Sequence, residues 1–309
     1  MAEVATAAAA PEVQASGARP GRVSVIVRST LRWLGVLPFG IYVALGLGAP
    51  TVAIAIAAFQ DSNNNAATMS NMTAAFQGTY LTGLENSLEL SVVCAIVPGI
   101  FGFLIAYAIF TAKRGNVLRR VVITASGVFA NFGGVPLAFL FIAALSTTGV
   151  VTGWIKDVSG VDIWDHGFTL YDVHGIFLAY LYFQIPLMVL IILPALEGLR
   201  PAWREAAENM GAGTWQYWRY VGGPVLFPSF LGCLLLLFGT SLSAYATAEA
   251  LTGGTVSLIS IQIGALLNGN VIAGQENLGY ALGLIMVVII AIVMILYTFL
   301  QRRAARWLR

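Results

Sequence analysis

The sequence predicts an all-α integral membrane protein with six transmembrane helices, and three observations support that fold class. First, 58% of the 309 residues are hydrophobic and 10% are charged, whereas soluble domains carry about 25% charged residues. Second, six apolar runs are each long enough to cross a bilayer, which takes roughly 20 residues. They cover 34–59, 86–111, 121–146, 174–196, 225–250 and 278–300. Third, positive charge is concentrated in alternate connections between the runs, as expected for a chain that crosses a membrane repeatedly. Most of the protein surface is therefore predicted to face lipid.

The distribution of Lys and Arg predicts the orientation of the chain. Fifteen of the sixteen lie before the first run, between the second and third, between the fourth and fifth, or after the sixth. These are Arg19, Arg22, Arg28, Arg32, Lys113, Arg114, Arg119, Arg120, Arg200, Arg204, Arg219, Arg302, Arg303, Arg306 and Arg309. Positively charged connections stay in the cytoplasm. Both termini and the 197–224 loop are therefore predicted to be cytoplasmic.

The amino-terminal segment precedes the first span. Residues 1–30 are rich in Ala and contain Pro11 and Pro20, so they are predicted to form a disordered cytoplasmic tail. The first apolar run starts late and is long enough to span, which argues against a cleaved signal peptide. Residues 31–309 are predicted to form one transmembrane domain.

Several spans contain residues that disturb helices. Prolines occur at Pro38, Pro50, Pro98, Pro136 and Pro186, and each removes a backbone hydrogen bond that must be replaced inside the protein or a watery cavity. The most disruptive stretch is 131–136, with the sequence NFGGVP. It predicts either a packing kink or a broken helix beside a translocation path. Cys94 and Cys233 also fall inside spans and are expected to behave as small apolar residues.

Three connections are predicted on the external side, at 60–85, 147–173 and 251–277. In the second, Gly153, Gly160 and Gly167 are expected to form turns, with room for a short helix. The third contains the apolar stretch 256–267. This stretch is too short to span and is predicted to be a re-entrant or interfacial piece.

The external side is predicted to be acidic. It carries Asp61, Glu85, Glu89, Asp157, Asp162, Asp165, Asp172 and Glu276, against Lys156 alone. Such an acidic surface would favour cationic ligands, but the acids could equally dock another protein or simply be solvated. The acids and histidines of 162–174 lack the ligand spacing of a metal motif, so no metal site is predicted there.

The cytoplasmic loop contains a predicted amphipathic helix. Pro201 suits the first turn of a helix and Gly211 suits its end. Apolar residues at helical spacing define one face, and polar residues define the other. The apolar set is Ala202, Trp203, Ala206, Ala207 and Met210, and the polar set is Arg204, Glu205, Glu208 and Asn209. Taken alone, this pattern also fits a helix that lies on the lipid surface.

The spacing of residues 205–224 resembles the signature loop of the permease subunits of bacterial ABC importers. That signature is Glu-Ala-Ala, three residues, Gly, nine residues, then Ile-x-Leu-Pro. The identical positions are Glu205, Ala206, Ala207, Gly211 and Pro224, with Val221 in place of Ile and Gly223 in place of Leu. The resemblance covers about 86–300 and implies a five-helix permease core, with 34–59 as an added first span.

The resemblance also implies partners and a mechanism. Residues 201–211 would be a coupling helix that sits in a cleft of a separate ATPase, where Glu205 meets polar or basic groups. Ala206 and Ala207 would let the helix seat deeply, and Gly211 would allow the exit turn. The implied assembly lies in the bacterial cytoplasmic (inner) membrane and has two ATPases, a second permease subunit and an extracytoplasmic solute-binding protein. A second permease that differs from this chain is favoured over a second copy of it.

The chain carries no sequence signal for chemistry of its own. Its only lysines, Lys113 and Lys156, do not follow a Gly-x-x-x-x-Gly pattern, so it has no phosphate-binding loop. ATP and magnesium are therefore expected on the partner subunit. No cofactor or nucleic acid is expected to bind this chain, and no enzymatic activity is predicted.

Polar residues within spans are the candidates for a solute pathway, because polar side chains facing lipid are costly. Ser241, Tyr245 and Glu249 are spaced i, i+4, i+8 and would share one stripe of a continuous helix. Asn131 and Gln184 are further candidates. The alternative is that the hydroxyls bond within the protein and that Glu249 sits in water at the external interface.

The solute class is predicted from two short stretches. Residues 249–254 (EALTGG) and 277–281 (NLGYA) resemble the spermidine/putrescine-type group, which also includes permeases for ferric iron, thiamine and aminoethylphosphonate. An ion-gradient-driven secondary transporter or channel is the main alternative. It would need ionisable residues in mid-membrane, whereas Glu89 and Glu249 lie near span ends. A membrane-embedded enzyme is disfavoured, because no paired catalytic groups share one depth.

Overall fold

A computed structural model describes residues 37–62, 66–111, 117–268 and 275–305. In these ranges the protein is helical, with one isolated bridge between Gln60 and Ala67 and no strand. Six helical segments are long and apolar enough to cross a membrane, which confirms the predicted fold class. They are Leu37–Ala58, Gly78–Thr111, Val135–Ser159, Val173–Glu197, Thr214–Ser243 and Glu276–Phe299.

The chain divides into two compact units, residues 1–53 and 54–309. In the first unit, the described residues belong to helix α1 (Leu37–Ala58), which contains a π-helical turn at Ala44–Gly48. The predicted tail, the domain boundary at residue 30 and eight of the basic residues lie outside the described ranges, so they stay predictions. Those eight are Arg19, Arg22, Arg28, Arg32, Lys113, Arg114, Arg306 and Arg309.

The second unit contains the remaining helices of the described chain. They are α2 (Ser70–Ala75), α3 (Gly78–Thr111), α4 (Val117–Asn131), α5 (Val135–Leu145), α6 (Val150–Ser159), α7 (Val173–Glu197), α8 (Pro201–Asn209), α9 (Thr214–Ser243), α10 (Ala246–Thr252), α11 (Ile259–Leu267) and α12 (Glu276–Ala305). Helix α9 contains a second π-helical turn at Trp218–Gly222.

The centre of the second unit is the pairing of α3 with α7, and α9 packs against both. Gly102 of α3 makes this approach possible, because a Cβ there would lie 2.5 Å from Cβ of Met188 and 2.8 Å from the carbonyl oxygen of Ile185. Small residues play this part between membrane helices, where close backbone approach is a main source of attraction. Met188, Ile192 and Leu237 are fully buried at this contact.

Two predicted spans are interrupted in the structure. The third, predicted as continuous over 121–146, ends as α4 at Asn131 and resumes as α5 at Val135, so of the two alternatives for 131–136 the structure has the broken helix. The predicted bounds are wrong, because the segment long and apolar enough to span here is Val135–Ser159. The fifth, predicted over 225–250, starts earlier at Thr214 and breaks after Ser243. Gly134 has φ +74° and ψ −153°, a conformation that favours glycine. In contrast, Pro98 and Pro186 lie inside uninterrupted helices.

The external connections are more ordered than predicted. Gly160 (φ +70°) and Gly167 (φ +85°) form turns as expected, but Gly153 lies inside α6. Residues 259–267 of the apolar 256–267 stretch form α11, whose buried residues Ile259, Ile261 and Leu266 help to fill the core. Helix α11 packs against α12 and α3 and is too short to span.

Candidate coupling surface and broken-helix site

Helix α8 (Pro201–Asn209) carries three of the predicted coupling residues, Glu205, Ala206 and Ala207. Gly211 forms the turn that ends α8, and Pro224 lies in α9. The N–H of Ala212 donates to the carbonyl of Ala207 (2.9 Å), and the N–H of Gly211 donates to that of Glu208 (2.9 Å). Gly211 has φ +79°, which is the left-handed conformation that commonly closes a helix. This explains why glycine is needed at 211, four residues after Ala207.

The surface of α8 is left open by the rest of the chain. Ala207 is 4% exposed, but Trp203 is 37% and Met210 is 81% exposed. Glu205 is also exposed, and within the described residues it forms no ion pair. Glu208, in contrast, accepts a hydrogen bond from Nε of Arg204 (2.8 Å), which raises the pKa of Arg204. Helix α8 therefore presents an apolar surface and one uncommitted carboxylate to a partner.

A groove of about 320 Å³ runs beside α8. It is lined by Ala207, Met210, Gly211, Ala212, Gln216, Tyr217, Tyr220 and Val221. Two signature residues, Ala207 and Gly211, line this groove. Their small size leaves room in it. The groove is large enough to receive side chains of another subunit.

The segment that leads into α8 is tied to the neighbouring span by one ion pair. Arg119 at the start of α4 binds Glu197 at the end of α7. Their side chains are 20% and 43% exposed, so water and salt screen the pair. The pair links the connection before α8 to the helix that breaks at Asn131.

A charge exchange tests this link. We expect Arg119→Glu to lower the free energy of unfolding by about 1 kcal/mol, because exposed pairs contribute about 0–1 kcal/mol and like charges oppose each other. The double variant Arg119→Glu/Glu197→Arg should regain most of that loss. Thermal unfolding of the purified chain at low and high salt measures both effects, and an unrepaired double variant would show that the contact is not electrostatic.

The π-helical turn after α8 explains why this chain has Gly223 where the signature has Leu. In this turn the N–H of Gly223 donates to the carbonyl of Trp218, five residues earlier. A Cβ at 223 would lie 2.5 Å from that same carbonyl oxygen. Pro224 follows directly and has no N–H to donate to the preceding turn. The π-helical turn therefore requires a glycine at position 223.

The variant Gly223→Ala is expected to lower stability by about 1–3 kcal/mol, because the added methyl group cannot be placed without moving the backbone of Trp218. Gly239→Ala is the matched control on the same helix, since nothing lies within 4 Å of a Cβ there. The control should be neutral or stabilising by up to about 1 kcal/mol. Thermal unfolding of both variants measures the difference, and equal effects would contradict this explanation.

The two helix breaks meet each other. The N–H of Gly134 donates to Oγ1 of Thr247 (2.8 Å), and the Thr247 hydroxyl lies 3.3 Å from the carbonyl of Gly134. At the second break, the buried Tyr180 donates to the carbonyl of Ala244 (2.8 Å). Backbone groups freed inside a membrane span must be satisfied in this way or by water in a cavity. Thr247 and Tyr180 were not among the residues that the sequence identified, because no local pattern pairs them with distant breaks.

Two of the predicted pathway residues come together. Gln184 on α7 donates from Nε2 to Oγ of Ser241 on α9, and both side chains are buried. Cys94 also contacts Ser241 through its thiol. Oε1 of Gln184 has no hydrogen-bond partner within the described residues. This leaves a polar acceptor in the centre of the helix bundle.

The predicted stripe of pathway residues on the fifth span is wrong. Ser241, Tyr245 and Glu249 do not share one stripe, because α9 ends at Ser243 and α10 begins at Ala246. The ring of Tyr245 instead packs beside Gly264, and Glu249 is partly buried on α10. Asn131 is exposed at the end of α4 and bonds the carbonyl of Gly127 in its own helix (2.9 Å).

Two of the predicted external acids, Asp162 and Asp172, have local structural roles. Asp172 accepts hydrogen bonds from the N–H groups of His174 and Gly175 at the start of α7. Asp162 pairs with Lys156 (3.0 Å), and that hydrogen bond lowers the pKa of Asp162. In the described ranges no group of three or more His, Cys, Asp or Glu residues is placed to hold a metal ion.

The sequence of this chain matches one family of known proteins. The family described as "Binding-protein-dependent transport system inner membrane component" matches residues 98–306, a range that includes α8, Gly223 and both helix breaks.

Individual relatives are more distant. The chain is 26% identical over 215 residues to the thiamine transport system permease protein of Escherichia coli (strain K12), which covers 68% of this chain and 38% of the relative. It is 26% identical over 261 residues to a putative ferric transport system permease protein of Haemophilus influenzae, covering 82% of this chain and 39% of the relative. The chain thus spans less than two fifths of the length of either protein.

Solved structures share the fold. A chain of a bacterial ABC transporter involved in the import of the acidic polysaccharide alginate superposes with a TM-score of 0.70 at 20% identity. The superposition covers 91% of this chain and 98% of that one. A chain of a methionine ABC transporter in an inward-facing conformation superposes with a TM-score of 0.51 at 16% identity, covering 74% of this chain.

Proposed function

This chain belongs to the family of binding-protein-dependent transport system inner membrane components, and from that premise we propose that it is a pore-forming permease subunit of a bacterial ABC importer. A small solute would move inward by alternating access, driven by ATP hydrolysis on a separate subunit. One observation carries the proposal: α8 and the turn that ends it carry Glu205, Ala206, Ala207 and Gly211 of the signature, and Glu205 and Met210 are exposed there.

The proposed assembly contains two ATPase subunits, which bind ATP and magnesium, and an extracytoplasmic solute-binding protein. A second permease subunit completes the pore, and we propose that it differs from this chain. In the bacterial inner membrane, both termini and α8 face the cytoplasm. The charge asymmetry of the sequence supports this orientation. The chain itself contributes a path and a coupling surface, and it carries out no covalent chemistry.

The two helix breaks lie beside the proposed path. Backbone that leaves the helix inside a span is tolerated where it is buried in protein or lines a water-filled cavity. The pair formed by Gln184 and Ser241 places a free acceptor at the centre of the bundle. Asn131, Tyr245 and Glu249 are exposed or partly exposed near the breaks. We assign these five residues to the path.

A gradient-driven transporter is less well supported. Such a protein needs ionisable groups within the membrane as proton or ion relays. Among the described residues, the fully buried polar side chains are uncharged: Ser87, Ser91, Ser126, Thr152, Gln184, Ser241, Thr247 and Thr252. Glu249 is the partly buried exception, with Oε2 buried and without a hydrogen-bond partner among the described residues. One such carboxylate on the short helix α10 does not form a relay across the membrane, so a path whose energy comes from another subunit is favoured.

For the solute we propose a small charged molecule. Two relatives are named as thiamine and ferric transport proteins, and a third, 30% identical over 166 residues, as a sulfate transport permease of Escherichia coli (strain K12). None of these three is a polyamine permease. The names therefore support thiamine or ferric iron ahead of the spermidine or putrescine suggested by residues 249–254 and 277–281.

Uptake into vesicles that contain the complete complex tests the function. Labelled thiamine, ferric iron, sulfate, spermidine and putrescine would each be offered with the solute-binding protein, with ATP or with a non-hydrolysable analogue. We expect one solute to accumulate only when ATP is hydrolysed. Accumulation driven by a proton or sodium gradient without the ATPase would overturn the importer assignment.

A further inference from the structure

A second cavity lies near the start of α8 and shares Tyr217 with the signature groove. It has a volume of about 190 Å³ and is enclosed by the end of α3, the start of α8 and the start of α9. Its lining residues are Tyr107, Phe110, Thr111, Leu199, Arg200, Pro201, Arg204, Tyr217 and Trp218. The interpretation of α8 as a coupling helix does not use this cavity.

The charge of the cavity is of one sign. Arg200 and Arg204 are the charged residues in its lining, and no carboxylate lines it. Glu208 accepts a hydrogen bond from Nε of Arg204, and the Arg200 guanidinium lies 5.9 Å from the centroid of the Trp203 ring. The terminal nitrogens of a guanidinium form a fork that matches two phosphate oxygens. The lining therefore has the chemistry to hold a small anionic group.

The aromatic residues place the cavity at a membrane boundary. Thr111 is the last residue of the candidate span Gly78–Thr111, and Tyr217 and Trp218 lie near the start of the candidate span Thr214–Ser243. The Trp218 ring contacts Tyr107 and Tyr217 edge-on, with centroid distances of 5.4 and 5.6 Å. Trp and Tyr concentrate at the level of lipid headgroups, which is where two apolar spans would both end.

We propose that this cavity binds the phosphate of an anionic phospholipid headgroup through Arg200 and Arg204, with Tyr107 and Trp218 forming part of its wall. Basic pockets between helix ends on the cytoplasmic side have the chemistry for such headgroups. A lipid held there would fix the start of α8 against α3, so the membrane composition would influence how firmly the coupling helix is held. The inference rests on the proposed cytoplasmic orientation of this loop and does not require transport.

Equilibrium binding tests the site on the full chain in nanodiscs of phosphatidylcholine. The probes are spin-labelled phosphatidylglycerol, phosphatidylcholine with the same acyl chains, and inorganic phosphate as a competitor. We expect preferential binding of phosphatidylglycerol, and a dissociation constant about fivefold higher for either Arg200→Gln or Arg204→Gln. Arg219→Gln is the matched control, because Arg219 lies on α9 over the Tyr220 ring and does not line the cavity.

The probes separate the possible sources of the anion. Displacement of phosphatidylglycerol by millimolar inorganic phosphate would assign the same site to a free phosphate group. Equal binding of the two lipids, or unchanged affinity in both arginine variants with normal thermal unfolding, would overturn the proposal. These readouts do not depend on uptake. A negative lipid-binding result would therefore not contradict the proposed importer function, and a negative uptake result would not contradict the proposed lipid site.

Discussion

Replacing Glu205 by alanine is expected to reduce ATP-driven uptake by about tenfold or more. Removing one partner of a charged contact at an interface costs about 2–5 kcal/mol, and a factor of ten corresponds to about 1.4 kcal/mol. Glu205 is exposed and makes no ion pair among the described residues, so this chain does not need the carboxylate to fold. The loss should therefore appear in coupling, measured as solute transported per ATP hydrolysed.

Glu208→Ala is the matched control for this experiment. It removes a carboxylate from the same helix, but one that already pairs with Arg204 on the surface. Such i,i+4 pairs contribute about 0.3–0.5 kcal/mol, so uptake should stay close to that of the unmodified complex. Normal uptake by the Glu205→Ala complex, or equal losses in the two variants, would remove Glu205 from the coupling contact.

The largest expected effect within the membrane is that of Thr247→Val. Valine keeps the shape but deprives Gly134 of the partner for its N–H. An unsatisfied buried group costs about 1–3 kcal/mol, and this one joins the two helix breaks. We expect lower thermal stability and reduced uptake together, because the joint belongs both to the fold and to the proposed path.

Thr252→Val separates this effect from the simple loss of a hydroxyl. Thr252 lies on the same helix α10, is equally buried, and bonds only the carbonyl of Ala248 in its own helix (2.8 Å). That carbonyl is already part of the helix, so the control should change stability by less than about 1 kcal/mol. If Thr252→Val were as damaging as Thr247→Val, the contact between the breaks would not be the cause.

The spans could be predicted because lipid imposes length and composition on each of them separately. The break at 131–136 was also visible, since two glycines before a proline favour no helix. The break at Ala244 was not, because the residues around it, SLSAYATAE, continue a helical pattern. Its carbonyl is satisfied by Tyr180, which is distant in sequence. Tertiary contacts of this kind leave no local signal.

In the candidate site, too, local features could be predicted and tertiary contacts could not. Residues 205–224 form a continuous segment whose spacing is fixed by local turns, so α8 and the Gly211 exit turn agree with the prediction. The sequence alone does not explain why Gly223 replaces the Leu of the signature. The structure does, because a Cβ at 223 would clash with the Trp218 carbonyl in the π-helical turn. The pathway stripe was wrong because it assumed a continuous helix. Gln184 and Ser241 were each predicted, but only packing brings them together.

Site-directed cross-linking tests the central claim, that α8 docks on a separate ATPase, most directly. Cys94 and Cys233 are both buried, so a cysteine at Met210, which is 81% exposed, supplies an accessible thiol. A cysteine at Val161, 41% exposed in the predicted external connection between Ser159 and Val173, is the control. In the assembled complex we expect Met210→Cys to cross-link to the ATPase and Val161→Cys not to do so. A cross-link from position 161, or none from position 210 in a complex that still contains the ATPase, would contradict the account.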